Sequence, residues 1–184
     1  MRMKKAYLLI ACLAVAAGLG LYYFLQDEAP PVQQPEPVQT TSNIVYSGNS
    51  IVEEQDGKRL WELSAGTIEI DPAANQARMN DLKGVFYQDN GGKLEIVALQ
   101  AVYDHKSRDI TMNGQIKATT TDGAAFTAGK ARWSGADRRF YGSGGIMMTR
   151  DDTVIVGDQM ESDVDMNKVT VTGNARIRKG GAGN

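Results

Sequence analysis

The fold is decided by residues 94–114, whose sequence is LEIVALQAVYDHKSRDITMNG. A 21-residue segment of this kind recurs four times without an internal gap. The copies begin at Trp61, Leu94, Ala124 and Thr153, and they end at Asp81, Gly114, Gly144 and Gly173. A period of about 30 residues is typical of stacked supersecondary units that share one continuous core. The repeat therefore favours a repetitive scaffold and argues against most catalytic architectures.

The first half of each copy alternates between apolar and polar residues, and the phase of the alternation changes partway. In the second copy the apolar residues are Leu94, Ile96 and Ala98, followed by Ala101 and Tyr103. Alternation with a period of two is the signal of a half-buried strand. The second half of each copy keeps one phase throughout, as a returning strand. Between the halves, clusters of Asp, Asn, Ser and Gly predict hairpin loops at residues 71–75, 104–108, 134–138 and 163–167.

The two strands of each predicted hairpin differ in phase by one residue. To keep all apolar side chains on one side, we place an extra residue in the first strand, between its fifth and eighth positions, as a β-bulge. A bulge at the same level in every hairpin would fold the stacked sheet along a crease. The pattern therefore predicts an all-β fold with short hairpin connections, an open twisted β-jelly-roll or taco-shaped trough of repeated bent hairpins.

The inward-facing residues of this trough are large on its walls and small near its crease. The crease positions are Ala65, Ala98, Ala128 and Gly157. Small residues leave room for a ligand, and concave apolar surfaces are common binding sites. The pattern is also consistent with a closed core in which the side chains interdigitate.

Residues 6–25 form a run of 20 residues without a formal charge. At about 1.5 Å per residue, such a run spans a bilayer core of about 30 Å as a transmembrane helix. Arg2, Lys4 and Lys5 precede the run, so we expect a cytoplasmic N-terminus and a chain that continues on the other side of the membrane. A cleaved signal peptide and a lipoprotein with a lipidated Cys12 are the alternatives, and the length of the uncharged run disfavours both.

The composition divides the chain into four segments. We expect residues 1–25 to form a cytoplasmic stub and the transmembrane helix. Residues 26–42 contain four of the five prolines and form an extended linker that reaches about 50 Å, unless they pack on the domain as a loop. We expect residues 43–179 to form the β-jelly-roll and residues 180–184 to be a flexible tail.

Charge and residue types argue against several classes of function. The formal net charge is -2, so no basic excess points to nucleic acid. His105, the one histidine, lies in a predicted hairpin loop, which leaves no second histidine for a catalytic triad or a metal site. The aspartates fall in turns, where they are expected. We therefore expect a protein that is not an enzyme and that holds no metal or cofactor.

A series of short motifs follows the predicted anchor and linker. They are Asp56–Ala65 (DGKRLWELSA), Ala101–Asp104 (AVYD), Ile110–Gly114 (ITMNG), Asp122–Phe126 (DGAAF) and Val169–Gly173 (VTVTG). With its motifs in this order, the chain resembles the LptC family, the membrane-anchored periplasmic bridge subunit of lipopolysaccharide export. The resemblance covers nearly the whole chain.

The resemblance implies a periplasmic domain, held in the inner membrane by a single-pass anchor, whose interior shelters the acyl chains of lipopolysaccharide. It implies that lipid passes from an inner-membrane ABC transporter complex to a soluble periplasmic β-jelly-roll bridge protein. A structural envelope adaptor with a filled core and no lipid cargo is the alternative. The lipid-binding residues expected from the alternation are Trp61, Leu63, Ile96, Tyr103, Phe126, Trp133, Phe140 and Ile155.

The last copy departs from the others because Val154, Ile155 and Val156 are all apolar. A strand that is apolar on both faces near the end of an open sheet could offer its edge to a partner strand. Coverage of that strand by the C-terminal segment 169–177 is the alternative. The residues expected at the partner edge are Val171 and Ile177.

Overall fold

The computed structural model describes residues 42–180, which contain twelve β-strands and no helix. The first six strands are β1 (Ser42–Ser47), β2 (Ser50–Gln55), β3 (Lys58–Ser64), β4 (Thr67–Asp71), β5 (Gln76–Tyr87) and β6 (Lys93–Asp104). The other six are β7 (Ile110–Thr120), β8 (Ala125–Ser134), β9 (Arg139–Arg150), β10 (Thr153–Asp163), β11 (Val169–Thr172) and β12 (Arg176–Lys179).

The N-terminal predictions fall on another part of the chain. The transmembrane helix expected at residues 6–25, the linker up to residue 41 and the tail at residues 181–184 lie outside the described residues. Within residues 42–180, no helix has the length and apolar character needed to cross a membrane.

The strands form one antiparallel sheet that follows the order of the chain from β1 to β11. In addition, β4 pairs with β5, and β12 pairs with β10. The predicted meander of hairpins is confirmed, because each long strand pairs with its neighbours in sequence. The outgoing strands β4, β6, β8 and β10 end where the sequence predicts loops, at Asp71, Asp104, Ser134 and Asp163.

Acidic side chains close these loops. Oδ1 of Asp104 accepts hydrogen bonds from the backbone N–H groups of Lys106 at 2.9 Å and Ser107 at 3.0 Å. Oδ1 of Asp163 accepts one from the N–H of Asn167 at 2.9 Å. Aspartate favours turns because its short side chain pairs with nearby backbone donors in this way. The aspartates of the loops are therefore structural.

The predicted bulge in the first strand is wrong, because the extra residue lies in the returning strand. Where β6 pairs with β7, Val97 and Gln100 lie opposite Lys117 and Asn113, an interval of three residues on β6 and four on β7. β9 likewise carries an extra residue relative to both β8 and β10. The irregularity therefore recurs at one level of the sheet, but on the other strand and only in the last three hairpins, because β5 pairs with its neighbours without an extra residue.

The last residue of each of the last three sequence copies has the conformation that the extra residue needs. Gly114, Gly144 and Gly173 have φ values of 79°, 80° and 71°. This left-handed region is open to glycine, whereas a Cβ makes it unfavourable. Positive φ also occurs at the residues that follow them, Gln115, Gly145 and Asn174. Two successive left-handed residues let the returning strand turn at the crease and keep its apolar side chains inside.

The crease divides the sheet into two walls. Wall I contains β1 to β3, β12, the first residues of β6, β8 and β10, and the last residues of β5, β7 and β9. Wall II contains β4, β11 and the other ends of these long strands. Between ring centroids, Trp61 of wall I lies 5.2 Å from Tyr103 of wall II, and Phe86 of wall I lies 4.7 Å from Phe140 of wall II. The two walls therefore face each other across one apolar core.

The left-handed crease can be tested with one substitution and a matched control. Gly145 has a φ of 84°, and no atom lies within 4 Å of an added Cβ, so Gly145→Ala changes only the backbone preference. We expect the unfolding free energy to fall by about 1–2 kcal/mol, measured by urea unfolding followed through tryptophan fluorescence.

Gly66→Ala is the control, because Gly66 has no left-handed φ and its added Cβ makes ordinary contacts. This variant should be neutral or more stable by about 0.4–1 kcal/mol. Equal losses of stability at the two glycines would contradict the account of the crease.

Candidate functional site

The eight residues predicted to bind lipid do not share one environment. Ile155 is half-buried on β10, at the C-terminal end of the interior. The other seven are packed in the core with at most 2% of each residue exposed: Trp61, Leu63, Ile96, Tyr103, Phe126, Trp133 and Phe140. The structure brings these seven together as a filled core and places Ile155 at its margin. Their contact with lipid stays a prediction.

The core also contains two polar groups without partners. Nε1 of Trp61 and Nε1 of Trp133 are buried and have no hydrogen-bond partner within residues 42–180. Leaving a buried donor unpaired costs about 1–3 kcal/mol. The interior is therefore not purely apolar, since it holds two N–H donors.

Glu53 is an interior residue that the sequence analysis missed. It lies opposite Trp61 in the β2–β3 pair and is 3% exposed. A guanidinium nitrogen of Arg108, on the loop after β6, lies 3.6 Å from its carboxylate. Burial of a carboxylate is costly without such a partner. Residues two apart on a strand face the same side, so the position of Glu53 two residues after the inward-facing Ile51 could have predicted its burial.

A cavity of about 290 Å³ lies at the C-terminal end of the interior. The mouth of the trough is the opening between the two walls on the side opposite the crease, and residues from both of its sides line the cavity. The short strands β11 and β12 leave the last inward-facing residues uncovered. Its apolar part can receive a hydrocarbon group, and Arg150 supplies a cation at its margin. The lining residues are Met148, Arg150, Asp151, Thr153, Ile155, Met166, Asn167 and Val169.

A larger cavity, of about 420 Å³, lies on the outer face of wall II. Its lining is mainly polar and includes Thr111, Asn113, Lys130, Arg132 and Tyr141. Outward-facing polar residues are what an antiparallel sheet presents to water. The cavity beside Ile155, although smaller, is therefore the better candidate for an apolar ligand.

The C-terminal segment covers the strand whose edge was in question. Ile155 of β10 pairs with Ile177 of β12, and Met160 of β10 pairs with Val171 of β11. The alternative in which segment 169–177 covers this strand is therefore correct. Val171 and Ile177 lie on the last strands of the described sheet, and Ile177 is 72% exposed. A role in partner binding stays a prediction for both.

Two acidic residues at the mouth, Asp104 and Asp122, have lowered pKa values. The N–H of Ser107 donates to Asp104 and holds the pKa of that carboxyl below its usual range, although partial burial opposes the shift. The hydroxyl of Thr120 donates to Asp122 and lowers its pKa, and the cation of Arg150 adds to the effect. Within residues 42–180, no group of acidic, histidine or cysteine side chains is arranged to hold a metal ion.

A meander of hairpins folded along a crease around an apolar interior defines an open β-jelly-roll. The fold resembles that of LptH from Pseudomonas aeruginosa, described as the LptA homologous periplasmic component of the conserved lipopolysaccharide transport device. The two structures share 8% sequence identity with a TM-score of 0.55, and the similarity covers 64% of this chain and 93% of LptH. At this identity the likeness shows the fold.

Residues 10–179 match the family model described as lipopolysaccharide-assembly, LptC-related, and the chain belongs to the LptC family. Membership confirms the resemblance in the sequence motifs. It supports a role in lipopolysaccharide transport through a periplasmic bridge, with a periplasmic domain. No curated protein matches the sequence.

Substitutions in the interior should separate core residues from the accessible margin. Phe126→Ala removes a ring that is 2% exposed, and we expect the unfolding free energy to fall by about 3–5 kcal/mol. Ile155→Ala removes a half-buried side chain beside a cavity and should cost about 1 kcal/mol. Urea unfolding of both variants checks the contrast. A comparable loss for Ile155→Ala would show that this residue is a full member of the core.

Asp104 makes the stability of the domain depend on pH. Its folded-state pKa is lowered, so its contribution is present above the unfolded pKa of about 3.9 and is lost as the pH falls through the folded value. The difference in unfolding free energy between the parent and Asp104→Asn should be constant above about pH 5 and shrink below about pH 4. Chemical unfolding across this range measures it. A difference that grows on acidification would contradict the assignment.

Proposed function

We propose that the chain is a non-enzymatic carrier of lipopolysaccharide. It receives the lipid from an inner-membrane ABC transporter complex and passes it to a soluble periplasmic β-jelly-roll bridge protein. The observation that carries the proposal is the partly apolar cavity beside Ile155, where the interior of an LptC-family fold is accessible next to the last strands of the sheet.

The chemistry of the interior supports acyl chains as the cargo. Burial of hydrocarbon from water contributes about 0.8 kcal/mol for each CH₂ group. The unpaired N–H groups of Trp61 and Trp133 offer donors to the ester, amide or hydroxyl oxygens that acyl chains carry near their heads. An acceptor from the cargo would remove the cost of leaving these donors unpaired.

The volume of the interior sets a condition on this function. The cavity of about 290 Å³ lies at the lower end of the range for small-ligand pockets. A lipid with several acyl chains needs more space, and the rest of the interior is filled by core residues. Carriage of lipopolysaccharide therefore requires the two walls to move apart along the trough.

The proposed anchor is the uncharged run at residues 6–25, which would hold the chain in the inner membrane as a single-pass protein. Residues 26–42 would then extend up to about 50 Å from the membrane. This arrangement keeps the periplasmic domain within reach of a transporter in the same membrane.

The proposed exit for lipid is the edge formed by β11 and β12. Unpaired backbone groups of an edge strand can bind a strand from another protein. Ile177 pairs with Ile155, so its side chain lies on the inner face of the sheet. A partner sheet added here would continue the apolar interior from one protein into the next.

A structural adaptor without cargo is the second candidate. The observation that favours it is the burial of seven predicted lipid-binding residues in a packed core. In an adaptor, the interior would stay closed, and the edges of the sheet would carry the function.

Photo-crosslinking in cells distinguishes the two candidates. A crosslinking amino acid at Ile155 should capture lipopolysaccharide, because this side chain faces the interior. Val156 is the matched control, since it is the next residue on β10, is also half-buried and faces the other side of the sheet. We expect a lipopolysaccharide adduct at Ile155, dependent on the ABC transporter, and none at Val156.

Absence of an adduct at Ile155, with no lipid detected on the purified chain by mass spectrometry, would favour the adaptor. The exit is tested separately with the crosslinker at Ile177, which should capture the soluble bridge protein. Lipid at Ile155 without any protein adduct at Ile177 would keep carriage and reject this exit.

A further inference from the structure

The last hairpin loop, residues 164–168, differs from the other three in its burial. The loops of the first three hairpins contain no buried residue. In the last loop, Val164 and Met166 are 5% and 1% exposed and belong to the hydrophobic core. In the last hairpin a connecting segment of wall II therefore fills space between the walls, whereas the loops at this end of the other three hairpins contribute nothing to the core.

Two hydrogen bonds hold this loop of wall II to a loop of wall I. Nε2 of Gln88 donates to the backbone oxygen of Val164 at 3.0 Å, and Gln88 is itself buried. The N–H of Asp89 donates to Oδ1 of Asp165 at 2.9 Å. The partners are separated by 76 residues, so these contacts join distant hairpins. The loop thus spans the mouth of the trough.

A third contact lies beside the cavity. Nη2 of Arg150, at the end of β9 in wall I, donates to the backbone oxygen of Met166 at 3.3 Å. The Oγ of Ser162 lies 3.1 Å from the sulfur of Met166, and the same methionine lines the cavity next to Ile155. Met166 therefore separates the filled core from the accessible C-terminal end.

The contacts across the mouth are weaker than those within a wall. Strands of one wall are joined by continuous ladders, whereas the loop is held by a few separate hydrogen bonds. The hydrogen bond from the N–H of Asp89 to Asp165 is exposed, and polar contacts in water are weak. Met166 has a φ of 55°, which is unfavourable for a residue with a side chain. These contacts can therefore break without disrupting the strand ladders of either wall.

We propose that residues 164–167 form a lid that closes the trough and lifts from Gln88, Asp89 and Arg150 when lipopolysaccharide is admitted. This inference rests on the proposed function, because it names the element that must move for the cargo to enter. When the lid lifts, Val164 and Met166 leave the core, and their space joins the cavity beside Ile155 to the rest of the interior. Methionine suits this exchange, because its flexible side chain packs in more than one way.

A disulfide across the mouth tests the lid. The full chain carries Asp89→Cys and Asp165→Cys together with Cys12→Ser, which removes the one native cysteine. A photo-crosslinker at Ile155 reports captured lipopolysaccharide. Oxidation fixes the lid to wall I, and reduction releases it. We expect about tenfold less adduct from the oxidised chain than from the reduced chain, because only molecules with an open lid bind.

The control pair is Thr119→Cys with Ala125→Cys, which joins directly paired positions of β7 and β8 within wall I. Its oxidation should leave the adduct unchanged. Equal adducts from the oxidised and reduced lid pair overturn the lid alone. Absence of lipid from the chain that carries only the crosslinker overturns the proposed function, and the lid with it.

Gln88→Ala provides a second variant that acts in the opposite direction. It removes the donor to Val164 and leaves Ile155 in place, so lipid should be taken up faster, by about threefold or more. Circular dichroism checks that the variant is folded. Unchanged or slower uptake by the folded variant overturns the lid.

Discussion

Strands β7 and β9 and the returning segment β11–β12 each carry one residue more than the strands they pair with at the crease, and paired strands must keep their apolar side chains on the same face. The sheet accommodates the extra residues because Gly114, Gly144 and Gly173 adopt a left-handed backbone at the same level. Alignment of these positions folds a continuous meander into two facing walls. The walls then supply aromatic rings from both sides, so the core exists only because the crease does.

Repetition also explains why the two ends of the sheet differ from its middle. An inner strand is covered on both sides, whereas the last strands have no further neighbour in the described chain. Inward-facing residues are therefore fully buried in the middle and half-buried at the C-terminal end, as at Ile155. The cavity and the exposed Ile177 both follow from this ending. A fold of this kind places its accessible apolar surface next to the edge where another sheet can bind.

Much of this fold was predictable from the sequence, because alternation assigns each strand residue to a face. The hairpin loops, the meander and the burial of seven inward residues all follow from it. The strand with the extra residue was misassigned, although the spacing of inward residues shows it: Ala98 and Ala101 are three apart, and Met112 and Ile116 are four apart. The inward turn of Val164 and Met166 was not predictable, since it depends on Gln88, 76 residues away from Val164. Alternation also gives a side chain's face but not its depth, so it could not separate Ile155 from the filled core.

In the proposed carrier, the walls pivot about the crease and exchange a filled core for a lipid-filled one. Spin labels at Thr121 and Ala136, exposed positions in the loops that flank β8, measure this directly, because the crease crosses β8 between them. Pulsed electron paramagnetic resonance on the full chain, with Cys12 replaced by serine, gives the distance between the labels with and without bound lipopolysaccharide. We expect a longer distance in the lipid-bound chain. An unchanged distance in a chain that demonstrably holds lipid would contradict this expectation.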